Sequence, residues 1–175
     1  MLSKGYCDDE TITDQASLNG HIEIVKLMLD KGVKYLNIYM ISAGRGGHID
    51  IVKLFLDWGA YVFNSCAASS ALEGHLNIVK LMIDRGATNL DTMFLSACRK
   101  GHMDIVRFLL TRGFLYDLKP AITCAAFCGH LEVVKLILEQ DFTDAKLTTI
   151  ILAATMGGRN EVVKYLTQIK MNKNI

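Results

Sequence analysis

Gly74-His75-Leu76-Asn77-Ile78-Val79-Lys80-Leu81-Met82-Ile83-Asp84-Arg85-Gly86 is the stretch that decides the fold, because the chain contains six recognisable copies of it. The copies begin 27, 27, 27, 28 and 29 residues apart, at Gly20, Gly47, Gly74, Gly101, Gly129 and Gly158. A period in this range is typical of stacked supersecondary units rather than of a single globular core. The sequence therefore predicts a repeat array.

Each copy has the pattern of an amphipathic helix with a wide apolar face. In the first copy Glu23, Lys26 and Asp30 are polar, and the other positions after His21 are apolar. At 100° per residue, the three polar residues fall within roughly 60° of one another, so more than half of the circumference is apolar. This pattern predicts a helix that is buried on several sides.

The ten residues that end at the first Gly of each copy predict another helix, which precedes the amphipathic one. We number them zero to nine, with the Gly as nine, and call this the first helix of the repeat. Small residues recur at position five, which allows neighbouring first helices to approach closely; they are Ala16, Ala43, Ser70, Ala97, Ala125 and Ala154. The predicted unit is a first helix, a tight turn, a second helix and a short connection.

Composition and charge exclude several classes of protein. The net charge is +1, so no global field favours nucleic acid or an anionic membrane surface. No apolar run approaches the ~18 residues of a spanning helix, and residues 1–10 lack a signal-peptide core. The five cysteines occupy no shared repeat position, which favours reduced thiols over a disulfide framework. We therefore expect a cytoplasmic protein with neither a nucleic-acid nor a membrane partner.

These residues resemble the ankyrin repeat family. The resemblance is carried by the small-residue end of the first helix, by the Gly-His-(Ile/Leu/Met)-(Glu/Asp/Asn)-(Ile/Val)-Val-(Lys/Arg) motif, and by endings such as Asp30-Lys31-Gly32. It implies an all-α, ankyrin-like helix-turn-helix solenoid with shortened or absent β-hairpin fingers. The fingers are in doubt because the connections are short, and the family's Thr-Pro-Leu-His opening is missing. Short-loop arrays of this composition look most like ankyrin-repeat proteins of giant viruses and their amoebal hosts, and in a viral protein the location would be the host-cell cytoplasm.

The repeat pattern divides the chain into one repeat domain, residues 1–175. We expect a partial N-terminal repeat at 1–10 and a C-terminal capping repeat at 149–175. The complete repeats lie at about 11–37, 38–64, 65–91, 92–119 and 120–148. Aromatic residues in the connections, among them Tyr35 and Tyr61, are expected to turn inward and fill the space of the missing finger, as is the segment 114–116.

A leucine-rich repeat is the rival fold, since 27 residues also lies within its range. Ile24 to Leu29 even offers the Leu-x-x-Leu-x-Leu spacing. However, a strand would turn Val25 and Met28 outward, although both positions are apolar in every copy. The helical repeat is therefore the better interpretation.

Candidate chemistry is weak throughout the array. The recurring histidines His21, His48, His75, His102 and His130 suggest a metal ladder, but packed helices lie about 8–10 Å apart and zinc needs nitrogens about 2.0–2.1 Å away. We interpret them as structural. Cys124 and Cys128 share a helix face without a third ligand nearby. With no catalytic or phosphate-binding motif, we predict no enzyme activity, catalytic residue, metal or cofactor.

Recognition is better sought where the copies differ. Positions four, seven and eight of the first helices share a face opposite to the small buried residues, and the family resemblance implies that this is a concave, partner-binding side. Trp58 is a further candidate, because other copies carry a polar residue there. The candidate partner-binding residues are Leu18, Asn19, Arg45, Trp58, Leu72, Glu73, Arg99, Lys100, Phe127, Cys128 and Met156.

These features favour a non-enzymatic protein–protein interaction module, a monomer or weak homo-oligomer, that binds a partner protein on the first-helix side. An alternative is a structural or self-assembling element. A second alternative is a substrate adaptor for a larger complex such as a ubiquitin ligase, which would need a recruitment motif, and we recognise none after Val163.

Overall fold

The computed structural model describes residues 8–112, 118–139 and 144–173, and helices are the only regular secondary structure in these ranges. The helices are α1 Asp9–Asn19, α2 Ile22–Asp30, α3 Leu36–Gly46, α4 Ile49–Asp57, α5 Phe63–Glu73, α6 Leu76–Asp84, α7 Leu90–Lys100, α8 Met103–Leu110, α9 Leu118–Cys128, α10 Leu131–Leu138, α11 Asp144–Met156 and α12 Asn160–Lys173. The predicted alternation of first and second helices is confirmed, and the connections from Lys31 to Tyr35 and from Trp58 to Val62 contain no strand.

The chain forms two compact units, one extending through Thr88 and the other beginning at Asn89. In the first unit, α1 packs against α3 and α3 against α5, and α2, α4 and α6 form a second row behind them. In the second unit, α9 packs between α7 and α11 in the same way, with α8, α10 and α12 behind. Each unit therefore stacks three helix pairs.

The core of each unit lies between its two rows of helices. The small residues at position five of the first helices are almost completely buried, as predicted. Behind them, the second helices bury one apolar stripe per repeat, for example Val52 and Phe55 in α4 and Val106 and Leu109 in α8. The ring of Phe55 lies 6.1 Å from that of Tyr39, centroid to centroid, which links α4 to α3.

Aromatic rings do not fill the described connections between helix pairs, contrary to the prediction from the sequence. Tyr61 is 72% exposed and Tyr35 is about half exposed, so the prediction that these rings turn inward is wrong. Instead the small residue after the second Gly is buried, and its N–H reaches back into the helix: Ala60 donates to the Phe55 carbonyl over 2.9 Å, and Ala87 to Met82 over 2.9 Å. This 6→1 bond caps the helix end and leaves no gap for an aromatic ring to fill. Residues 114–116 lie outside the described residues.

Asparagine side chains hold consecutive connections together in the first unit. Asn37, at the start of α3, accepts a hydrogen bond from the Tyr61 N–H over 2.9 Å, and Asn64 in α5 accepts one from the Thr88 N–H over 2.8 Å. These bonds satisfy backbone donors that a hairpin finger would pair internally. The sequence analysis did not predict these hydrogen bonds, although Asn recurs at positions 37 and 64, one period of 27 residues apart.

Candidate functional site

Three of the repeated histidines join their repeat to the preceding repeat of the same unit. Nε2 of His48 lies 3.0 Å from the Leu18 carbonyl oxygen, and Nε2 of His75 lies 3.0 Å from that of Arg45. In the second unit, Nε2 of His130 lies 3.0 Å from the Arg99 carbonyl oxygen. Because a carbonyl only accepts, Nε2 carries the hydrogen in each case.

The last repeat preserves this contact with a different residue. Arg159 stands where the other copies have His, and its Nε donates to the Phe127 carbonyl over 3.1 Å. The planar N–H of the guanidinium thus replaces that of the imidazole. The acceptors, Leu18, Arg45, Arg99 and Phe127, all lie at position seven of a first helix, where the free carbonyls of a helix end need partners.

In these four copies, position seven therefore combines a bonded backbone carbonyl with a side chain that differs from copy to copy. Arg45 and Arg99 are exposed, Phe127 is 47% exposed and Met156 is 72% exposed. Leu18 and Leu72 are half-buried. At position eight Asn19, Glu73 and Lys100 are exposed, whereas Cys128 is half-buried. We call the exposed side of α1, α3 and α5, and separately that of α7, α9 and α11, the first-helix face of each unit.

Two of the residues at position eight, Gly46 and Gly157, allow neighbouring first helices to pack closely. A Cβ on Gly46 would lie 2.1 Å from the Leu18 carbonyl oxygen, and one on Gly157 would lie 2.1 Å from that of Phe127. No side chain fits at such distances, because the obstacle is backbone. The variation at these two positions therefore reflects close helix approach.

All candidate partner-binding residues except Trp58 lie on the first-helix face of one unit or the other. Trp58 is the C-cap of α4 and is about half exposed, so it lies at the end of a second helix and does not join the first-helix face. The others divide between the first unit and the second; those of the second are Arg99, Lys100, Phe127, Cys128 and Met156.

An open groove of about 520 Å³ runs between α9 and α11 on the first-helix face of the second unit. Phe127 and Cys124 of α9 form one wall, and Met156 and Ala153 of α11 form the other. Lys119 is the only charged residue among the eight that line the groove. The sequence indicated the apolar character of Phe127 and Met156, but not the groove, which forms only where α9 and α11 pack against each other.

The thiols of Cys66, Cys98 and Cys124 are not activated nucleophiles. Partial burial raises the pKa of the Cys124 thiol, and the neighbouring Cys128 raises it further, while the positive charge of Arg99 lowers it. Burial raises the pKa of Cys66 to about 12 and also raises the pKa of Cys98. Since the thiolate is the reactive form, these cysteines behave as small apolar residues at neutral pH.

Within the described ranges, no three His, Cys, Asp or Glu side chains are grouped so that they could hold a metal ion. In the same ranges, no helix is both long enough and apolar enough to cross a membrane.

A family model described as "Ankyrin repeats (3 copies)" matches residues 39–119 and 65–146, which together make up more than half of the sequence. The chain belongs to the ankyrin repeat family. Ankyrin repeats are generally protein–protein interaction modules, and proteins of this family are typically non-enzymatic. A search of curated proteins finds no match to the chain. The resemblance inferred from the Gly-His motif and the helix-turn-helix fold is thus confirmed.

The histidine contact predicts a specific effect on the stability of this ankyrin repeat chain. We expect His75→Ala to lower the free energy of unfolding by about 1–2 kcal/mol, because the Arg45 carbonyl loses its ring partner. His21→Ala is the matched control, since no such bond to His21 exists among the described residues, and it should change stability by less than about 0.5 kcal/mol. Urea denaturation followed by circular dichroism measures both. If both variants lower the free energy of unfolding equally, the histidines act only within their own helix and the bond to the preceding repeat contributes nothing.

Proposed function

We propose that the chain is a non-enzymatic interaction module that binds a partner protein on its first-helix faces, the side that is concave in ankyrin repeat stacks. One observation carries the proposal: position seven combines a carbonyl that is bonded by the next repeat with an exposed side chain that changes from Arg45 to Arg99 and Phe127. A fixed backbone with variable exposed side chains is what a recognition surface requires. Because the stack is already ordered, binding costs little conformational entropy.

Charge reversal tests the proposal. We expect the Arg99→Glu, Lys100→Glu double variant to reduce capture of the native partner from cell extract by about tenfold or more, because exposed interface charges control encounter and register. The melting temperature should stay within about 2 °C, since both side chains are exposed and surface changes have small effects.

The matched control is the Lys53→Glu, Arg107→Glu double variant, which changes the net charge equally on exposed positions of the second helices α4 and α8. This control should capture the partner normally. If capture instead fails for the control and persists for the Arg99→Glu, Lys100→Glu variant, the partner binds the outer side and the proposal is wrong.

Self-assembly is a second candidate, favoured by the apolar side of α2. Ile24 is 41% exposed and Leu27 is 54% exposed, whereas Ile51 and Ile78, which occupy the same repeat position as Ile24, are buried. Among the described residues α1 and α2 form the first helix pair, so no further described pair covers these side chains. A second copy of the chain stacked there would bury them.

Native mass spectrometry at increasing protein concentration tests this second candidate. Self-assembly predicts oligomers that Leu27→Lys removes, because a charge cannot be buried in an apolar contact without a partner. Lys26→Ala, on the neighbouring exposed position, is the control. A monomer over the whole concentration range would exclude self-assembly through α2.

A further inference from the structure

The groove between α9 and α11 has the chemistry of a docking site for an apolar side chain. Phe127 and Met156 border it at position seven of consecutive first helices, and both remain substantially exposed. Leu152, one turn before Met156, is also exposed, so the apolar surface continues beyond the groove. Exposed apolar side chains that adjoin a groove mark interaction sites more often than isolated ones do.

The shape of the groove favours a segment of a larger molecule over a small ligand. Small-molecule sites enclose about 70–90% of the ligand surface. This groove is instead open along its length, and its rim residues Lys119, Pro120 and Thr149 are exposed. An open apolar groove suits the anchor side chains of a peptide, whose remaining atoms stay in contact with water or with other parts of the surface.

Positive charge lies beside the groove on the same face. Arg99 stands at position seven of α7, in the row that continues through Phe127 to Met156, and Lys100 follows it at position eight. Both are exposed. Burial and the neighbouring Cys128 raise the pKa of the Cys124 thiol in the groove, and the positive charge of Arg99 lowers it. The described side chains of α9 include no acid, and Asp91, the acid of α7, lies in its first turn, two helical turns from Arg99.

We infer that the groove binds a peptide segment of a partner protein in which a large apolar side chain, seated between Phe127 and Met156, is accompanied by acidic side chains that contact Arg99 and Lys100. The inference rests on the proposed function and names the chemistry of its partner. Packed helices lie about 8–10 Å apart, and an extended chain advances about 3.3 Å per residue. Because the groove lies between α9 and α11, its centre is about one and a half helix spacings, or about 12–15 Å, from α7. The acidic residues should therefore stand about four positions from the apolar anchor.

A random dodecapeptide phage library selected against the full chain tests this inference. We expect enrichment of peptides that combine Leu, Ile, Met or an aromatic residue with Asp or Glu about four positions away. The most enriched sequence, synthesised with a fluorescein label, then serves as the probe in anisotropy titrations. Its affinity should fall with ionic strength, because exposed ion pairs are screened. Enriched peptides without acidic residues would overturn the inference.

Variants of the chain locate the bound probe. Phe127→Ala and the Arg99→Glu, Lys100→Glu variant should each weaken binding at least about tenfold. Lys53→Glu, on an exposed position of α4 outside the first-helix face, should bind within about twofold. If Arg45→Glu, on the first-helix face of the other unit, abolishes binding and the first two variants do not, the inference fails while the proposed function stands. If no variant of a first-helix face changes binding and only Lys53→Glu, Arg107→Glu does, both the inference and the proposed function fail.

Discussion

Gly47→Ala should lower the free energy of unfolding by about 3–5 kcal/mol. The turn between α3 and α4 holds Gly47 at φ 82°, where an L side chain costs about 1–2 kcal/mol. In addition, a Cβ at this position would lie 2.5 Å from Cε1 of His75, so the ring that bonds the Arg45 carbonyl must move. Overpacking costs about 1–3 kcal/mol, and the displaced hydrogen bond adds to it.

Gly86→Ala separates the backbone strain from the steric contact with the histidine ring. Gly86 is also left-handed, at φ 101°, but a Cβ there would meet nothing within 4 Å. We expect it to cost only the backbone strain, about 1–2 kcal/mol. Because roughly 1 kcal/mol shifts the melting temperature of a chain of this size by about 2–4 °C, thermal unfolding followed by circular dichroism resolves the difference. Similar losses for both variants would mean that the ring contact contributes nothing.

The sequence predicted a tight turn at the Gly that ends each first helix, and in the structure Gly47 adopts the left-handed conformation there. It did not reveal that this residue also makes room for the histidine of the next repeat, because that contact joins residues about 30 positions apart. For the same reason the histidines could be interpreted as structural, but their acceptors could not be named. Periodicity predicts which residues are equivalent. It does not predict which equivalent residues touch across a repeat boundary.

The candidate surface was likewise only partly predictable. Position seven was chosen because its side chains differ, and the structure places Arg99, Phe127 and Met156 on exposed sites of one face. Gly46 and Gly157 also differ from their equivalents, but there the variation reflects a carbonyl 2.1 Å from the position of a Cβ. Variation among copies thus has two physical origins, and the distance to the neighbouring helix distinguishes them. Tyr61 shows the opposite error, since its aromatic ring suggested burial and the short connection leaves it in solvent.

Phe55→Ala should be the most destabilising of the simple truncations, with a loss of about 3–5 kcal/mol in the free energy of unfolding. The side chain is completely buried in α4, and its ring is the neighbour of Tyr39 in α3. Truncation removes apolar area from the core and leaves a cavity between the two rows of helices. Equilibrium urea unfolding followed by circular dichroism measures the loss, and a change below about 1 kcal/mol would contradict the assigned core.

Phe127→Ala is the matched control for Phe55→Ala, and it distinguishes core from surface. The same truncation at a side chain that is 47% exposed should cost less than about 1 kcal/mol of stability. Its effect should fall on binding, because Phe127 forms a wall of the α9–α11 groove. If Phe127→Ala destabilises the chain as much as Phe55→Ala, the ring is part of the core and its exposure has no role in recognition. A stable variant that loses its partner would instead show that the same residue type serves folding in a second helix and binding in a first helix.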